Sequence, residues 1–215
     1  GYKLEWGDDK KRHNMYRGTD VGFGGYVYAV EGYWQNVALL DVNSMHPTST
    51  IILRKFGDAT DIYKEIRDAR FAVKNGEFDK AASMLDGKLA PYLNEEDADN
   101  LQAALKLILN STYGIAAASF ENPLRDPRDE NNIIALRGAL FMRTLQYEVE
   151  ARGFKVVHIK TDSVKIPDAT PEIIEFVKEF GRKYGYEFDH EATYDRMCLV
   201  NHATTRSEER RVGKE

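Results

Sequence analysis

The chain has 215 residues and a formal net charge of −5; 42% of its residues are hydrophobic and 30% charged. That length suits one large domain or two small ones, and the balance supports a packed core and excludes wholesale disorder. The acidic sum excludes a purely electrostatic DNA binder, but not an enzyme that confines its basic residues to one cleft and carries carboxylates for metal elsewhere.

Residues 1–20 are polar and charged, with KKRH at 10–13, and read as an irregular or extended lead-in. Residues 21–30 (VGFGGYVYAV) are Gly-rich and then alternate as a strand does. NVALLDV (36–42) reads as a buried strand ending at Asp41. Pro47 favours an extended or turn conformation at His46 and suits the first turn of a helix through TSTIILRKF. From Asp61 the period becomes helical, with Ile62, Ile66, Ala69 and Val73 on one stripe. A short helix, DKAASML, follows the KNGEF break. EEDADNLQAALKLILNSTYG predicts a strong helix with acids in its first turn, Leu101, Leu105, Ile108 and Leu109 on one side, and Gly114 at its end. The two long helices flank a turn-rich insert, which predicts a helical hairpin rising from a sheet. Residues 131–152 predict a helix, 154–160 (FKVVHIK) a strand, VKI its return strand, 171–185 an amphipathic helix, and YEFDHEATYDRMCLVNHAT one or two closing strands. The expected class is α+β with an antiparallel sheet. The last stretch, RSEERRVGKE, has no apolar period and is set aside as a non-native tail, a solvated charged tail being the alternative.

No apolar run approaches the roughly 20 residues of a membrane span. One cysteine, Cys198, excludes an internal disulfide framework and fits a reducing compartment such as the cytoplasm. With neither Met nor a signal-like segment at Gly1, the first residue is not expected to be a natural start.

HIKTDSV (158–164) places one carboxylate, Asp162, between two hydroxyl residues on a turn. A lone acid there is ordinarily a turn former. Asp41 also ends a buried strand, in LLDVNSMHPT. If the two strands are neighbours, two carboxylates meet at one end of one sheet. Like charges that close are unfavourable unless a cation sits between them, and oxygen-preferring Mg²⁺ is the usual solution. Two carboxylates spanning two metals suit in-line nucleotidyl transfer. In KLILNSTYG, Lys106, Asn110 and Tyr113 are spaced four and three apart and share one helical face. A cation, an amide and a ring in a row suit a triphosphate, a sugar or backbone, and a base. The plain alternative is a snorkelling Lys and a core Tyr.

Three stretches together resemble a known family. DVNSMHPTS (41–49) is similar to motif A of family B DNA polymerases, KLILNSTYG (106–114) to their motif B, KxxxNSxYG, and KTDS (160–163) to the end of motif C. GFGG (22–25) resembles the YxGG-type segment that precedes motif A, and the order agrees over about residues 20–205. The style is phage-like, which would place the protein in a bacterial host's cytoplasm. The resemblance implies an antiparallel-sheet palm with a helical-hairpin fingers insertion: 1–57 lead-in and first part of the palm, 58–114 fingers, 115–205 the rest of the palm, 206–215 the tail. It implies that Asp41 and Asp162 are catalytic and, with the Val42 carbonyl, hold two Mg²⁺ ions, for which Mn²⁺ would substitute. Ser44 and Met45 would line the triphosphate end, Lys106 and Asn110 contact the incoming nucleotide, and Tyr113 pack by the nascent base pair. Gly24, Gly25, Lys160, Thr161 and Ser163 would face DNA, Lys160 by reaching primer phosphate or by pairing with a carboxylate. The family usually adds a fingers arginine. Lys106 lies about 12 Å above Gly114, and Arg67 and Arg70 reach roughly 9–14 Å along the first helix, so either is a candidate. Partners would be primer–template DNA and deoxynucleoside triphosphates, with the exonuclease and thumb regions lying outside the chain; without a thumb, primer–template affinity and processive activity are expected to be low.

Three departures stand out. His46 occupies the place of the tyrosine under the deoxyribose, which puts sugar discrimination in question. Lys160 replaces the first aspartate of motif C, and His158 its tyrosine. NHAT (201–204) stands where a basic motif would hold the primer end, with His202 in place of a lysine. Two alternatives stay open: another palm-type polymerase, a reverse transcriptase or primase-like enzyme, and a degenerate palm that only binds nucleic acid.

Overall fold

The computed structural model describes residues 1–125, 132–200 and, as backbone, 203–211. In chain order the elements are β1 (Tyr2–Trp6), β2 (Arg12–Tyr16), β3 (Thr19–Asp20), β4 (Val27–Ala29), β5 (Gly32–Val42), α1 (Met45–Ile52), α2 (Ala59–Lys74), α3 (Phe78–Ala82), α4 (Ala98–Ala116), α5 (Ile133–Glu150), β6 (His158–Lys160), β7 (Ser163–Pro167), α6 (Pro171–Lys183), β8 (Phe188–Val200) and β9 (Ala203–Arg211). The class is mixed α/β with antiparallel sheets. The chain divides into two compact units, Gly1–Met45 with Asn131–Glu215, and His46–Glu130.

The first unit carries both sheets. Strands β1, β2 and β3 form a three-stranded meander, and the larger sheet runs β4-β6-β7-β5-β8-β9 with every neighbouring pair antiparallel. The core lies on one face of the larger sheet. Ala38, Leu40 and Val42 of β5, Ile159 of β6, and Val164 and Ile166 of β7 pack with Leu136, Met142, Leu145 and Val149 of α5 and Ile173 and Val177 of α6. Helix α6 is legible as the sequence predicts: Pro171 follows Thr170, whose hydroxyl accepts the Ile173 N–H, and basic residues close the last turn. A smaller cluster, Val37, Val157, Met197 and Leu199, lies apart from this core. Strand β9 pairs with β8 and takes in the first residues of the charged tail.

In the second unit, α2 and α4 are joined by Ala69 and Leu105, with Ile66 and Leu101 beside them. The buried Tyr63 hydroxyl donates to the Leu109 carbonyl over 2.9 Å.

Four expectations are corrected. Residues 1–20 are not irregular: the meander occupies them, and buried Asn14 holds it by accepting the Tyr2 hydroxyl at 2.8 Å and donating to the Gly22 carbonyl at 2.9 Å. Residues 154–157 lie outside the strand, which begins at His158. The helical stripe is rotated: Ile62 is exposed and Tyr63 buried in its place, while Ile108 is exposed beside buried Leu109. Helix α4 also runs past Gly114, to Ala116.

The meander contains a titrating clasp. His13 Nδ1 lies 2.6 Å from Asp20 and Nε2 3.0 Å from Asp9. Hydrogen bonds to Asp9 and then Asp20 raise the His13 pKa. Asp9 is held low by His13 and the Lys11 N–H. Asp20 is also lowered: its partial burial acts in the opposite direction, but the Gly22 N–H and His13 outweigh it. A raised histidine stabilises the folded form below its unfolded pKa and loses that contribution as pH rises through its folded pKa, so the loss falls above about pH 6.5. The lowered acids contribute above their unfolded values and lose that as pH falls through the folded ones. Amide exchange in β1–β3 should therefore quicken relative to the rest of the unit as pH rises above about 6.5, and His13→Gln should remove that dependence. An identical profile in the variant contradicts the clasp.

Candidate active site

The β6–β7 hairpin closes on Thr161 and Asp162, with Lys160 and Ser163 as its last pair. Thr161 has φ 57°, the left-handed region that a β-branched side chain avoids. Two contacts hold it there. Its N–H donates to the Tyr26 carbonyl over 3.0 Å, and its side chain presses on Gly25. A Cβ built on Gly25 would meet Thr161 Cγ2 and Oγ1 at 2.9 Å, and Gly25 itself has φ 137°. Only glycine fits both demands. The Gly-rich segment is thus the seat of the turn.

Asp41 stands opposite Ser163 on β7 and opposite Asp189 on β8. The Val42 N–H donates to the Asp162 carbonyl over 2.9 Å, so the two aspartates singled out by sequence belong to adjoining strand ends. The side chains of Leu40 and Val42 enter the core, so alternation turns Asp41, part-buried, to the opposite face of the sheet. The same alternation puts His158, Lys160, Ser163 and Lys165 on that face. Asp189 and Lys165 are additions that the sequence did not single out. Only the strand alternation of FDHEATY and SVKIP hints at them, and neither says what lies opposite.

Among the described residues, no group of three or more His, Cys, Asp or Glu side chains could hold a metal ion between them. The fit to Mg²⁺ rests on donor chemistry alone: the Asp41 and Asp162 carboxylates and the Val42 carbonyl are hard oxygen donors at one strand end. A magnesium site commonly takes one or two carboxylates and leaves its other positions to water and phosphate. Ser44 has φ 54°, and Met45 buries its side chain against Gly138 rather than lining an open site. A cavity of about 630 Å³ lined by Trp34, Phe154 and Lys155 lies toward the other end of β5 and contains none of these residues.

In the second unit, Lys106 and Asn110 are exposed on α4, with Tyr113 part-buried on the same helix. The Tyr113 ring stacks on His46, centroids 4.4 Å apart and planes 13° from parallel, which brings two singled-out residues together. Arg67 is engaged by Asp68 at 2.7 Å and by the Thr48 hydroxyl at 3.4 Å. Arg70 is buried, and burial lowers its pKa. Gly24 is part of the Gly-rich segment, and His202 lies outside the described residues.

No protein-family model matches the chain, and no curated protein matches it in sequence. Among solved structures, the fold is similar to that of the family B DNA polymerase from the hyperthermophilic archaeon Pyrobaculum calidifontis, with a TM-score of 0.57 and 16% identity over 85% of this chain. The chain spans 26% of that polymerase chain. At this identity the likeness is one of fold alone. No helix of the described residues is long and apolar enough to cross a membrane.

Gly25→Ala should lower unfolding stability by about 1–3 kcal/mol, from steric contact with Thr161 and backbone strain together. Urea denaturation measures it. A change within about 0.5 kcal/mol, the range of ordinary surface substitutions, would show that the turn does not depend on this seat.

Proposed function

We propose that this chain is the catalytic part of a template-directed DNA polymerase, transferring a nucleotidyl group from a deoxynucleoside triphosphate to a primer 3′-OH. The observation that carries the reading is the Asp41–Asp162 pair. Two acids nominated from motifs far apart in sequence lie on adjoining strand ends, Asp41 one rung before the Val42–Asp162 hydrogen bond. The resemblance in motif order and the fold likeness to a family B DNA polymerase support it independently.

In this reading Asp41, Asp162 and the Val42 carbonyl would hold divalent magnesium, which when bound would lower the pKa of the attacking hydroxyl and neutralise the leaving pyrophosphate. Lys106 neutralises the triphosphate, with Arg67 or Arg70 as a second cation. Asn110 contacts the nucleotide, and Tyr113 packs by the new base pair. Ser44 and Met45 offer backbone N–H groups to phosphate oxygens. Gly24, Gly25, Thr161, Ser163 and Lys160 face the primer–template. His46, stacked on Tyr113, stands at the sugar.

A second reading is a palm that binds nucleic acid without catalysis. Lys160, exposed beside the acids, is the observation in its favour.

The test is single-nucleotide primer extension at high enzyme and Mg²⁺, with dNTPs and rNTPs offered separately. The expected result is Mg²⁺-dependent dNTP addition that falls about 100-fold or more in Asp162→Asn and Asp41→Asn, since a catalytic metal contributes several kcal/mol and each 1.4 kcal/mol is tenfold. Equal use of rNTPs would move the assignment to a ribonucleotide-tolerant palm enzyme, with His46 as the reason. DNA binding without any addition would favour the second reading, and addition that survives Asp162→Asn would overturn the site.

A further inference from the structure

The cavity of about 630 Å³ toward the far end of β5 plays no part in the polymerase reading. Its volume falls in the range of small-ligand pockets, about 300–1,000 Å³. Every residue lining it belongs to the first unit and is exposed or part-buried, so the cavity is reached from solvent. Trp34, Phe154 and Pro167 give it flat apolar walls, and Gln35, Lys155 and Asp168 bring an amide, a cation and a carboxylate. The indole is held in place. Its N–H donates to the Val30 carbonyl over 3.1 Å, and the Val30 N–H donates to the Val157 carbonyl over 2.9 Å. The ammonium of exposed Lys155 lies 4.2 Å from the centre of the Trp34 ring. The Asp168 N–H donates to the Asn36 carbonyl over 2.9 Å, which ties down the backbone that carries the carboxylate. Flat walls select a planar ring. A cation at the ring face selects an anion joined to it, and a carboxylate selects a ring that donates N–H from its edge. A nucleobase with its phosphate meets all three demands.

We propose that this cavity takes one base of a single DNA strand, cytosine in preference to thymine, with a flanking phosphate on Lys155. A base within a duplex is stacked on its neighbours and enters a pocket only at the cost of unstacking, which selects a single strand. Cytosine presents an amino donor where thymine presents a carbonyl, so the Asp168 carboxylate accepts from the first and repels the second. The Gln35 amide offers a donor and an acceptor to the rest of the base edge. A base laid on the Trp34 face moves the ammonium toward the phosphate, as the flexible four-carbon lysine stem allows. The cavity is separate from the acids: Trp34 and Asp41 stand toward opposite ends of β5, roughly 20 Å apart at about 3.3 Å per residue. The proposal rests on the nucleic-acid part of the polymerase reading and does not require its catalytic part.

The experiment is fluorescence anisotropy of the full 215-residue chain with labelled oligo(dC) and oligo(dT) of equal length, at several salt concentrations, in EDTA and without triphosphate. Oligo(dC) should bind about tenfold more tightly than oligo(dT), the discrimination of one hydrogen bond to a charged group. Asp168→Asn should remove that preference, because an amide donates to thymine as well as accepting from cytosine. Trp34→Leu should weaken both strands about tenfold through lost stacking. Lys155→Met should make the slope of log K against log salt shallower by about 0.7, one phosphate on a single strand. In a Trp6→Phe background Trp34 is the sole tryptophan, and oligo(dC) should quench its fluorescence to saturation. Thermal denaturation of each variant separates folding from binding. Lys155 and Asp168 are exposed, so their variants decide the matter even where Trp34→Leu does not fold. Equal wild-type binding of the two strands overturns the proposal, and so does oligo(dC) binding with an unchanged slope in Lys155→Met. Free dCMP should compete only far above the oligo(dC) concentration, and competition at equal concentration overturns the strand as ligand. Extension assays on the same samples separate this proposal from the catalytic one. Binding that depends on Lys155 and Asp168 without extension keeps the pocket and removes the polymerase, while extension with binding indifferent to both does the reverse.

Discussion

The hydrogen bond from the Val42 amide to the Asp162 carbonyl is the last rung of the β5–β7 ladder, and the site depends on the register it closes. That register is set from the other side of the sheet. Ala38, Leu40 and Val42 are each no more than 2% exposed, and alternation then leaves Asp41 on the open face. A slip of one residue would turn Asp41 into the core and bring Leu40 and Val42 out. Exposing two such side chains costs about 1.5–3 kcal/mol each, and burying a carboxylate adds to it. The positions of the acids are therefore a by-product of apolar packing. The core side of β5 does the positioning of the acid on its other side.

The turn is where the chain departs from relaxed geometry. Thr161 and Ser44 both adopt positive φ, and they stand next to Asp162 and near Asp41 respectively. Non-glycine residues in that region cost on the order of 1–3 kcal/mol and persist only where their surroundings hold them. For Thr161 the holding contacts are the Tyr26 carbonyl and Gly25. This gives the Gly-rich segment a physical reason. It admits the Thr161 side chain, and so fixes where the next residue, Asp162, begins.

Much of this was legible in the sequence, for reasons that also explain what was not. Helices α4, α5 and α6 have long periods, and α6 has clear ends. Strand β5 carries a run of apolar residues ending in an acid, and KTDS reads as a turn. The rest depended on non-local partners. Tyr63 takes the buried place expected of Ile62 because its hydroxyl finds the Leu109 carbonyl, a group on another helix. The meander escaped notice because Tyr2, Leu4 and Trp6 alternate as strand residues yet stay exposed, so the first strand lacks the buried face by which strands are recognised. Asp189 reaches the Asp41 rung through a register shift on β8, where His190 pairs with Leu40 and Ala192 with Leu39, leaving Glu191 as the extra residue. No local pattern reveals which rung a bulged strand will meet. The same holds for Lys165, whose neighbours across the sheet include Leu39 and Tyr194, both distant in sequence.

Net charge shows the same limit at the level of the whole molecule. The sum of −5 argues against a polyanionic partner, but it runs over every residue of the chain. A bound strand responds to charges within about one Debye length, roughly 8–10 Å near physiological salt. Beside the Asp162 turn, the sheet face opposite the core carries exposed Lys160 as well as Asp41. Carboxylates alone would repel a phosphate backbone. Lys160 stands on the hairpin's last rung, beside the turn that carries Asp162, so a cation and the acids share this end of the sheet. Alternation puts both on one face, because each is an odd step from a residue that the core requires.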